Sequence, residues 1–370
     1  MTFRRLPLAT RRQCLQSFGA LTVASALGKT ANASTLPEAK LLLGGTLASI
    51  PGQFGELAEG PISKGLGLDT PIQLQPDLGQ DGVTAANLFD ANEAPDGRTA
   101  IVVPGATLLA SLTGDSRVHY DFGRWIPLML ARTATVVVGR IEMRRSFRMR
   151  IEGFFHNHSV RLAVSRASGP ELSAMLGLTL LGMRPIPVPG FVSAEQALAA
   201  LRDGTVDAVQ ISPCTLNIPL AEVLKSLPAG TAPLYQTGDI SDIQAEQIPN
   251  FLEAYQQVRR KPPEGLLYQA WQGVSSSTDT AVTVALPMLT PPDVVMQWRK
   301  ACALAVADSG MRHWAELRHF SLADGANAAP LLSRATPPLN ATPALSRSLA
   351  IHTPGWRSGQ ATPPLPPHPD

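Results

Sequence analysis

Short apolar segments alternate along this chain with longer segments of helical spacing, and this alternation limits the possible fold more than any other feature. Apolar runs of a few residues bounded by turn residues are typical of strands, whereas apolar residues three and four apart are typical of helices. Strands that alternate with helices predict an α/β fold of parallel βαβ units, with helices on both faces of each sheet. The predicted strands are residues 40–43, 71–75, 99–103, 136–138, 160–164 and 205–211.

Local signals predict where several helices begin and end. The stretch at 54–66 has helical spacing, Pro61 should bend or shorten it, and Gly67 is a helix stop. Ser168 and Ser193 are each followed three residues later by a glutamate or glutamine, which is the pattern of a capping box. In α/β sheets ligands bind at the carboxyl ends of the strands, on the loops that lead into helices. We therefore look for candidate site residues in those loops.

Composition and charge exclude several classes of protein. Of the 370 residues, 44% are hydrophobic and 16% are charged, which excludes a charge-rich disordered chain. The net charge of +2 comes from residues 1–33, which hold five basic and no acidic side chains, so that 26 of the 31 basic side chains remain against 29 acidic ones. Aromatic residues make up only 5%. A mildly acidic body with few aromatic side chains lacks the features of a nucleic-acid-binding protein.

Residues 1–33 have the features of a removable export signal. Arg11-Arg12 precedes a weakly apolar stretch at 18–27, and Ala31-Asn32-Ala33 places small residues before a cleavage point at Ser34. The apolar stretch is shorter than the roughly 20 residues that a transmembrane helix needs. The paired arginines favour the twin-arginine route. We therefore expect a mature chain in the periplasm; the alternative is a basic N-terminal helix that stays attached.

The rest of the sequence predicts a chain without a membrane span, because its apolar runs are too short or too diluted by polar residues. It keeps two cysteines, Cys214 and Cys302, which could form one disulfide in an oxidising compartment. Both lie in apolar sequence, and this favours buried free thiols. Residues 331–370 hold nine prolines and predict an extended or disordered tail, with a proline-rich recognition segment as the alternative.

Several short blocks follow one another in a fixed order along residues 38–325. The most specific is the turn Ala94-Pro95-Asp96-Gly97-Arg98-Thr99, which leads into a predicted strand and follows the loop Gly79-Gln80-Asp81-Gly82. The later blocks are His119-Tyr120-Asp121-Phe122, Trp125-Ile126-Pro127, Ser165-Arg166-Ala167-Ser168-Gly169, Val188-Pro189-Gly190-Phe191, Leu201-Arg202-Asp203-Gly204-Thr205-Val206-Asp207, Trp271-Gln272-Gly273-Val274, and Leu286-Pro287 with Pro291.

In order and spacing these blocks resemble the Bug (TctC-like) family of extracytoplasmic solute receptors. The chain departs from the family pattern at four places. Leu78 stands where the family loop P-G-A-G-G has proline, and Asp81 stands where it has glycine. Arg98 takes the usual tyrosine place of A-x-P-D-G-Y-T, and the stretch 47–53 lacks the aspartate of the family's P-G-G-x-x-D.

The resemblance implies a two-lobed periplasmic-binding-protein (Venus flytrap) fold, type II-like, that closes on a ligand. The expected lobes are residues 34–135 with 246–330, and residues 136–245. The implied function is capture of a small organic anion, with a carboxylate as the expected class, for the permease subunits of a tripartite tricarboxylate-type transporter. The resemblance implies a monomer without a cofactor or bound metal.

Two other functions stay open at this point. A receptor that reports to a membrane sensor kinase would have the same sequence features. An exported hydrolase is the alternative from a different class. The sequence contains no G-x-S-x-G elbow, P-loop, G-x-G-x-x-G or H-E-x-x-H motif, and its seven histidines form no recognisable triad, so we do not expect an enzyme.

A carboxylate receptor needs several hydrogen-bond donors that converge on one anion, and the loops that begin helices supply them through free N–H groups and the helix dipole. We expect the hydroxyls of Ser49, Thr107 and Ser168 to complete these bonds. Each loop has an alternative interpretation as a plain strand-to-helix connection. The candidates in the first lobe are Ser49, Gly79, Gln80, Asp81, Gly82, Pro104, Gly105, Ala106 and Thr107. The candidates in the second lobe are Ser165, Ala167, Ser168, Gly169, Pro189, Gly190 and Phe191.

A basic stretch at 140–161 has two possible interpretations. Its six arginines outnumber its two glutamates by four charges. It could bind an anionic partner, but Phe147 and Ile151 have the spacing of a buried helix face, which favours a solvated basic face opposite them. His156-Asn157-His158 spells the letters of a nuclease motif, yet no third metal ligand lies near it in the sequence, and we expect no metal site.

The export signal leads to the first prediction. Mature protein isolated from its native host should begin near Ser34, and N-terminal sequencing checks this. Changing both arginines of the pair, Arg11→Lys with Arg12→Lys, should leave the precursor in the cytoplasm because the twin-arginine route recognises that pair. An intact N-terminus at Met1 or Thr2 in the native protein would contradict the assignment.

Overall fold

The computed structural model describes residues 36, 38–149, 159–166, 168–212, 216, 220–238 and 248–352. The strands in these residues are β1 (Lys40–Leu43), β2 (Gln73–Pro76), β3 (Thr99–Val103), β4 (Ile126–Arg132), β5 (Thr135–Arg140), β6 (Ser159–Val164), β7 (Arg184–Pro189), β8 (Ala208–Ile211), β9 (Thr231–Thr237), β10 (Thr280–Leu286) and β11 (Ser321–Asp324).

The helices in the same residues are α1 (Ile50–Leu66), α2 (Val83–Asn92), α3 (Gly105–Thr113), α4 (Ile141–Met149), α5 (Leu172–Leu181), α6 (Ala194–Asp203), α7 (Leu220–Lys225), α8 (Phe251–Arg259), α9 (Leu266–Thr278), α10 (Pro292–Ala307), α11 (Ser309–Leu317), α12 (Gly325–Arg334) and α13 (Thr342–His352). None of these described helices is long and apolar enough to cross a bilayer.

The strands form two sheets. The first has the order β11-β4-β10-β3-β1-β2, and the second has the order β7-β6-β8-β5-β9. In the first sheet β1 pairs in parallel with β2 and β3, whereas β10 is antiparallel to β3 and β4 and β11 is antiparallel to β4. In the second sheet β6 is parallel to β7 and β8, whereas β5 is antiparallel to β8 and β9.

The prediction of purely parallel sheets is therefore wrong, although it holds for β1–β3 and for β6–β8. The exceptions include the two strands at which the chain changes sheets. Strand β4 ends at Arg132 in the first sheet and β5 begins at Thr135 in the second. Each of them is antiparallel to both of its neighbours in its own sheet.

Buried hydroxyls and one carboxylate join the segments at this passage. Thr135 and Thr237 share a hydrogen bond of 2.6 Å between their hydroxyls, and the Thr237 hydroxyl donates to Asp279 Oδ1 at 2.7 Å. The Thr133 N–H donates to the Asp279 carbonyl at 2.8 Å. Asp279 is only 2% exposed, so these bonds form in a low-dielectric environment, where leaving a partner unpaired is costly.

The central strand of the first sheet is buried as predicted. All five residues of β3 are buried, and the turn before it is held by α10. Gly97 has φ 79°, and a Cβ there would lie 2.2 Å from a methyl of Val294. The indole of Trp298, a fully buried core residue, donates to the Gly97 carbonyl at 2.8 Å. Glycine in this turn is thus required by both its backbone conformation and the close approach of α10.

Several helix signals are confirmed. Gly67 ends α1 in the left-handed conformation at φ 69°, and Gly204 ends α6 in the same way at φ 80°. Ser193 caps α6 by accepting from the Gln196 N–H at 3.3 Å. Helix α1 begins earlier than predicted because Ser49 caps it, and it continues through Pro61 to Leu66, so that proline does not shorten it.

The prediction of an extended tail is wrong for residues 331–352. Helix α12 ends at Arg334, a 3-10 turn covers Leu339–Ala341, and α13 follows. Ala341 and Leu345 are buried in the core that surrounds the second sheet. The prolines stand at turns and at the start of α13, where a missing N–H costs little. Residues 353–370 lie outside the described residues.

Of Cys214 and Cys302, Cys302 is a free thiol that is fully buried in the first core, and burial raises its pKa to about 12. Such a thiol stays protonated and unreactive at neutral pH. Cys214 lies outside the described residues.

The packing of α13 gives a stability prediction. Leu345 is 1% exposed, and truncating a buried leucine removes both its transfer free energy and its packing contacts. Leu345→Ala should lower the free energy of unfolding by about 2–4 kcal/mol in chemical denaturation. Leu339→Ala is the matched control, because that side chain is 92% exposed and its loss should change stability by less than about 0.5 kcal/mol. Equal small effects of the two changes would contradict the packing of α13.

Candidate functional site

Three loops of the first sheet meet beyond the carboxyl ends of β1, β2 and β3. A Cβ on Gly82 would lie 2.6 Å from Thr107 Oγ1 and 3.4 Å from the Cα of Gly44. A Cβ on Gly44 would in turn lie 3.0 Å from the Cα of Gly82 and 3.4 Å from Pro104 Cδ. The predicted loops at 79–82 and 104–107 therefore contact each other directly. This is the edge at which α/β sheets bind their ligands.

Asp81 is held in an unusual conformation at the centre of these loops. Its φ of 61° lies in the left-handed region, which aspartate tolerates better than most residues. The Thr107 hydroxyl donates to the Asp81 carbonyl at 2.6 Å, and Tyr120 donates its phenol proton to the Thr107 carbonyl at 2.7 Å. Burial raises the pKa of Tyr120, so this donor stays protonated. The hydroxyl of Thr107 thus positions Asp81, and its proton is already donated.

The carboxylate of Asp81 pairs with two arginines that come from different parts of the fold. Arg166, which follows β6 of the second sheet, lies 2.8 Å from Asp81 Oδ2 through Nη2. Arg117, which follows α3 of the first sheet, lies 3.3 Å from the same oxygen. The Asp81 side chain is 13% exposed, compared with 30% for Arg166 and 35% for Arg117. The ion pair with Arg166 joins the two sheets at the ends of their strands.

A second carboxylate completes the cluster. Asp115 Oδ1 accepts from Arg117 Nε at 3.0 Å, and Asp115 Oδ2 accepts from Arg117 Nη2 at 2.6 Å, which is a bidentate pair. Arg117 Nη1 also donates to Gln80 Oε1 at 3.1 Å. The bonds from Arg117 hold the pKa of Asp115 below its ordinary value against the opposing effect of burial, and the same bonds raise the pKa of Arg117. Both groups are therefore charged at neutral pH.

The loop after β6 is organised around Glu171 rather than around a helix cap. Ser165 donates its hydroxyl proton to Glu171 Oε2 at 2.9 Å, and a Cβ on Gly169 would lie 2.5 Å from that oxygen. Burial raises the pKa of Glu171. The predicted capping box at Ser168 is wrong, because α5 begins at Leu172 and its first turn has no side-chain cap. Ser168 is partly exposed in this loop, and Ala167 lies outside the described residues.

The loop after β7 lies on the same edge of the second sheet. Pro189 is the register partner of Val164, the last residue of β6, and the Phe191 N–H donates to the Val164 carbonyl at 3.3 Å. Gly190 between them has φ 106° and is exposed. Phe191 packs its ring against the core behind the sheet. This loop is therefore next to the one that carries Arg166.

Two predicted ligand residues have structural roles. The hydroxyl of Ser49 caps α1 by accepting from the Gly52 N–H at 3.4 Å, and it donates to the Thr46 carbonyl at 2.5 Å. A Cβ on Gly105 would lie 2.1 Å from the Ser277 carbonyl oxygen, so only glycine lets α3 begin against the end of α9. Pro104 and Ala106 are partly exposed on the same turn.

Of the four charged side chains in this cluster, Asp81 was among the predicted residues, whereas Asp115, Arg117 and Arg166 were not. Arg117 and Asp115 lie in the loop after α3, and their sequence Asp115-Ser116-Arg117 has no motif that distinguishes it from an ordinary surface turn. Arg166 stands within the quoted block at 165–169. Asp81 stands where the family pattern has glycine, and a partly buried carboxylate at that place needs a cationic partner nearby. This departure was the signal in the sequence that could have pointed to the arginines.

A separate cavity of about 650 Å³ lies near the passage between the sheets. Its walls combine aromatic and polar side chains, and none of the predicted site residues that the structure describes lines it. Six of its lining residues are Arg132, Gln236, Tyr268, Gln269, Trp271 and Asp279.

Three arginines of the basic stretch, within the residues that the structure describes, bind groups of the protein itself. Arg161 forms a bidentate pair with Asp207 at 2.9 and 2.8 Å, and Arg140 donates to the Val206 carbonyl at 3.2 Å. Arg144 donates to the Pro233 carbonyl. Residues 150–158, with the two histidines, lie outside the described residues. Within the described residues no group of three or more histidine, cysteine or acidic side chains could hold a metal ion.

Solved structures share this fold at low sequence identity. A TctC solute-binding protein from Polaromonas, solved without ligand, is 14% identical with a TM-score of 0.63, and the match covers 86% of this chain and 99% of that one. MatC from Rhodopseudomonas palustris with bound malate is 18% identical with a TM-score of 0.51, covering 85% and 99%. An R. palustris protein with adipate is 14% identical with a TM-score of 0.51, covering 86% and 98%.

The chain therefore has the α/β, two-lobed periplasmic-binding-protein fold that these solute-binding proteins share, and the expected fold class is confirmed. Its structural similarity to the TctC protein and to MatC extends over most of the chain. Neither a protein-family model nor a curated protein matches it.

The Asp115–Arg117 pair gives a pH prediction. A carboxyl whose pKa is lowered on folding stabilises the protein above its unfolded pKa of about 3.9, and this contribution is lost as the pH falls through the folded pKa. Asp115→Asn should therefore lower the free energy of unfolding at pH 7 by about 1–3 kcal/mol, and the difference from wild type should shrink below about pH 4. Urea denaturation at several pH values checks this.

Asp69→Asn is the matched control, since its carboxylate is exposed in the loop after α1. It should change stability little at any pH. A destabilisation by Asp115→Asn that stays constant from pH 7 to pH 3 would show that packing, not charge, explains it.

Proposed function

We propose that this protein is an extracytoplasmic solute-binding receptor that holds a small organic anion, a carboxylate, between two lobes. The lobes are residues 34–135 with 246–330, and residues 136–245. The first sheet draws its strands from 40–132 and 280–324, and the second from 135–237, which supports this division. Helix α8 departs from this division, because Phe251, Ala254 and Tyr255 pack in the core of the second sheet, and we propose that the return to the first lobe falls after α8 rather than at residue 246.

The observation that carries the proposal is the closeness of the two sets of loops. Arg166 reaches from the loop after β6 to Asp81 in the loop after β2, at 2.8 Å. Two sets of loops that are close enough to form an ion pair can also contact one small molecule from both sides. Binding sites enclosed between facing loops bury most of a small ligand's surface.

Hydrogen-bond donors that could bind an anion lie around this contact. The first N–H groups of α3, at Gly105 and Ala106, have no acceptor within the helix, and the helix dipole favours a negative charge there. The other candidates are the loops at Gly79–Gly82, Ser165–Gly169 and Pro189–Phe191. Hydrogen bonds to a charged group contribute about 1.5–3 kcal/mol each. A few of them give the roughly −8 kcal/mol of a micromolar receptor.

The ligands bound in two similar structures support a carboxylate as the class of ligand. MatC holds malate and the second R. palustris protein holds adipate, both in this fold. The acids and arginines of the described cluster pair with each other, an arrangement that suits binding rather than nucleophilic or acid–base catalysis. We therefore propose a binding protein and not an enzyme.

The setting follows from the same proposal. The chain would work in the periplasm after removal of residues 1–33, as a monomer without a cofactor. It would deliver its ligand to the membrane permease subunits of a tripartite tricarboxylate-type transporter. A membrane sensor kinase is the alternative recipient, and a neighbouring permease or kinase gene distinguishes the two.

A ligand screen tests this function. In a thermal-shift screen of mono-, di- and tricarboxylates, aromatic acids and amino acids, at least one acid should raise the melting temperature by mass action. Ser168→Trp should abolish that shift, because Ser168 is partly exposed in the loop that faces the first sheet. Ser309→Trp, at an exposed helix start, should leave it unchanged. Turnover of ester or phosphate substrates without any anion binding would contradict the proposal.

A further inference from the structure

We propose that Asp81 is a built-in carboxylate that occupies an anion position of the binding cleft and thereby selects against ligands with a second carboxylate. The inference rests on the proposed receptor function and goes further, because it names the acids that the site accepts: those whose far end is neutral or cationic. It makes Asp81 a specificity-determining residue that the resemblance to known receptors does not predict.

The geometry places the Asp81 carboxylate where a ligand group would bind. It lies between a guanidinium of the first sheet and one of the second, with Oδ2 at 3.3 Å from Arg117 and 2.8 Å from Arg166. Paired guanidinium groups are a preferred partner of carboxylates in proteins. A ligand carboxylate at this position would need to displace a side chain that is only 13% exposed.

The position of Asp81 is fixed by more than the ion pairs. The left-handed backbone at φ 61° turns the residue, and the buried hydroxyl of Thr107 holds its carbonyl at 2.6 Å. The contact of Thr107 with Gly82 keeps that loop against α3. The Asp81 side chain is therefore preorganised, and it does not need to be ordered when the cleft closes.

The charges in the cluster are balanced with Asp81 present. Asp115 already neutralises Arg117 through a bidentate pair, and Asp81 neutralises Arg166. An incoming second carboxylate would bring an uncompensated negative charge into a partly buried place, which is costly.

Removing the carboxylate reverses this balance. Arg166 would lose its partner, and its Nε is already buried without a hydrogen-bond acceptor among the described residues. Glycine suits the left-handed backbone at position 81, so Asp81→Gly removes the carboxylate without introducing strain. The space and the free guanidinium would then fit the distal carboxylate of a four- to six-carbon dicarboxylate.

The experiment is a calorimetric comparison of wild type, Asp81→Gly and Asp81→Asn with succinate, malate and adipate, and with butyrate and hexanoate as monocarboxylates. We expect the dicarboxylates to bind Asp81→Gly at least tenfold more tightly than wild type, with Asp81→Asn in between. Monocarboxylate affinities should change by less than threefold. Asp69→Asn, which removes an exposed carboxylate from the same part of the chain, is the control and should behave as wild type.

The outcomes separate this inference from the proposed function. If wild type binds an acid but Asp81→Gly gains no affinity for dicarboxylates, the role of Asp81 is wrong and the receptor function stands. If dicarboxylates bind wild type more tightly than Asp81→Gly, Asp81 contributes to binding and the inference is overturned. If no acid binds any folded variant, as judged by its cooperative melting, both the function and the inference are wrong.

Discussion

The ion pair between Asp81 and Arg166 is the contact on which the organisation of the site depends. It joins the loop after β2 of the first sheet to the loop after β6 of the second, at 2.8 Å. Its geometry requires a left-handed residue at position 81, a buried hydroxyl at Thr107 and a glycine at position 82. Thr107 lies in the first turn of α3, after β3, and Gly82 lies against Gly44 in the loop after β1. The loops of the first sheet therefore form one unit, and Arg166 meets that unit from the other sheet.

The two sheets are also joined at the same edge, where the chain passes from β4 to β5 beyond the carboxyl ends of β3 and β8. Near the passage from β4 to β5, a chain of buried bonds runs from Thr135 through Thr237 to Asp279. Helix α9 lies between these features, since it packs against both α3 of the first sheet and α5 of the second. Trp271 on α9 donates to the Ser173 carbonyl at the start of α5 at 3.1 Å.

Much of the first sheet could be predicted because local signals and tertiary packing agree there. Strand β3 is buried on both faces as its composition requires, and Gly97 has the positive φ that its turn predicts. The antiparallel strands could not be predicted in this way, because β4 and β5 have the same apolar composition as parallel strands. The prediction of an extended tail for the proline-rich stretch failed for a different reason. Its composition is that of a tail, but Ala341 and Leu345 bury themselves against a core supplied by distant parts of the chain.

The site was predictable as a set of loops but not as a set of charges. Strand-to-helix connections are visible in sequence, whereas the partner of a lone acid depends on which loops meet in three dimensions. Ser49, Thr107 and Ser165 show the limit of the argument from residue type. Their hydroxyls are suited to a ligand, yet each is engaged with the protein's own backbone or with Glu171. Asp81 and Arg166 are far apart in sequence, so only the fold reveals that they pair.

The most direct test of this account is a crystal structure of Asp81→Gly grown with malate. The account predicts that one malate carboxylate lies within hydrogen-bond distance of both Arg117 and Arg166, at the position that the Asp81 side chain holds in wild type. Malate bound instead in the cavity beside Arg132 and Tyr268, with Arg166 turned away to another acceptor, would contradict it.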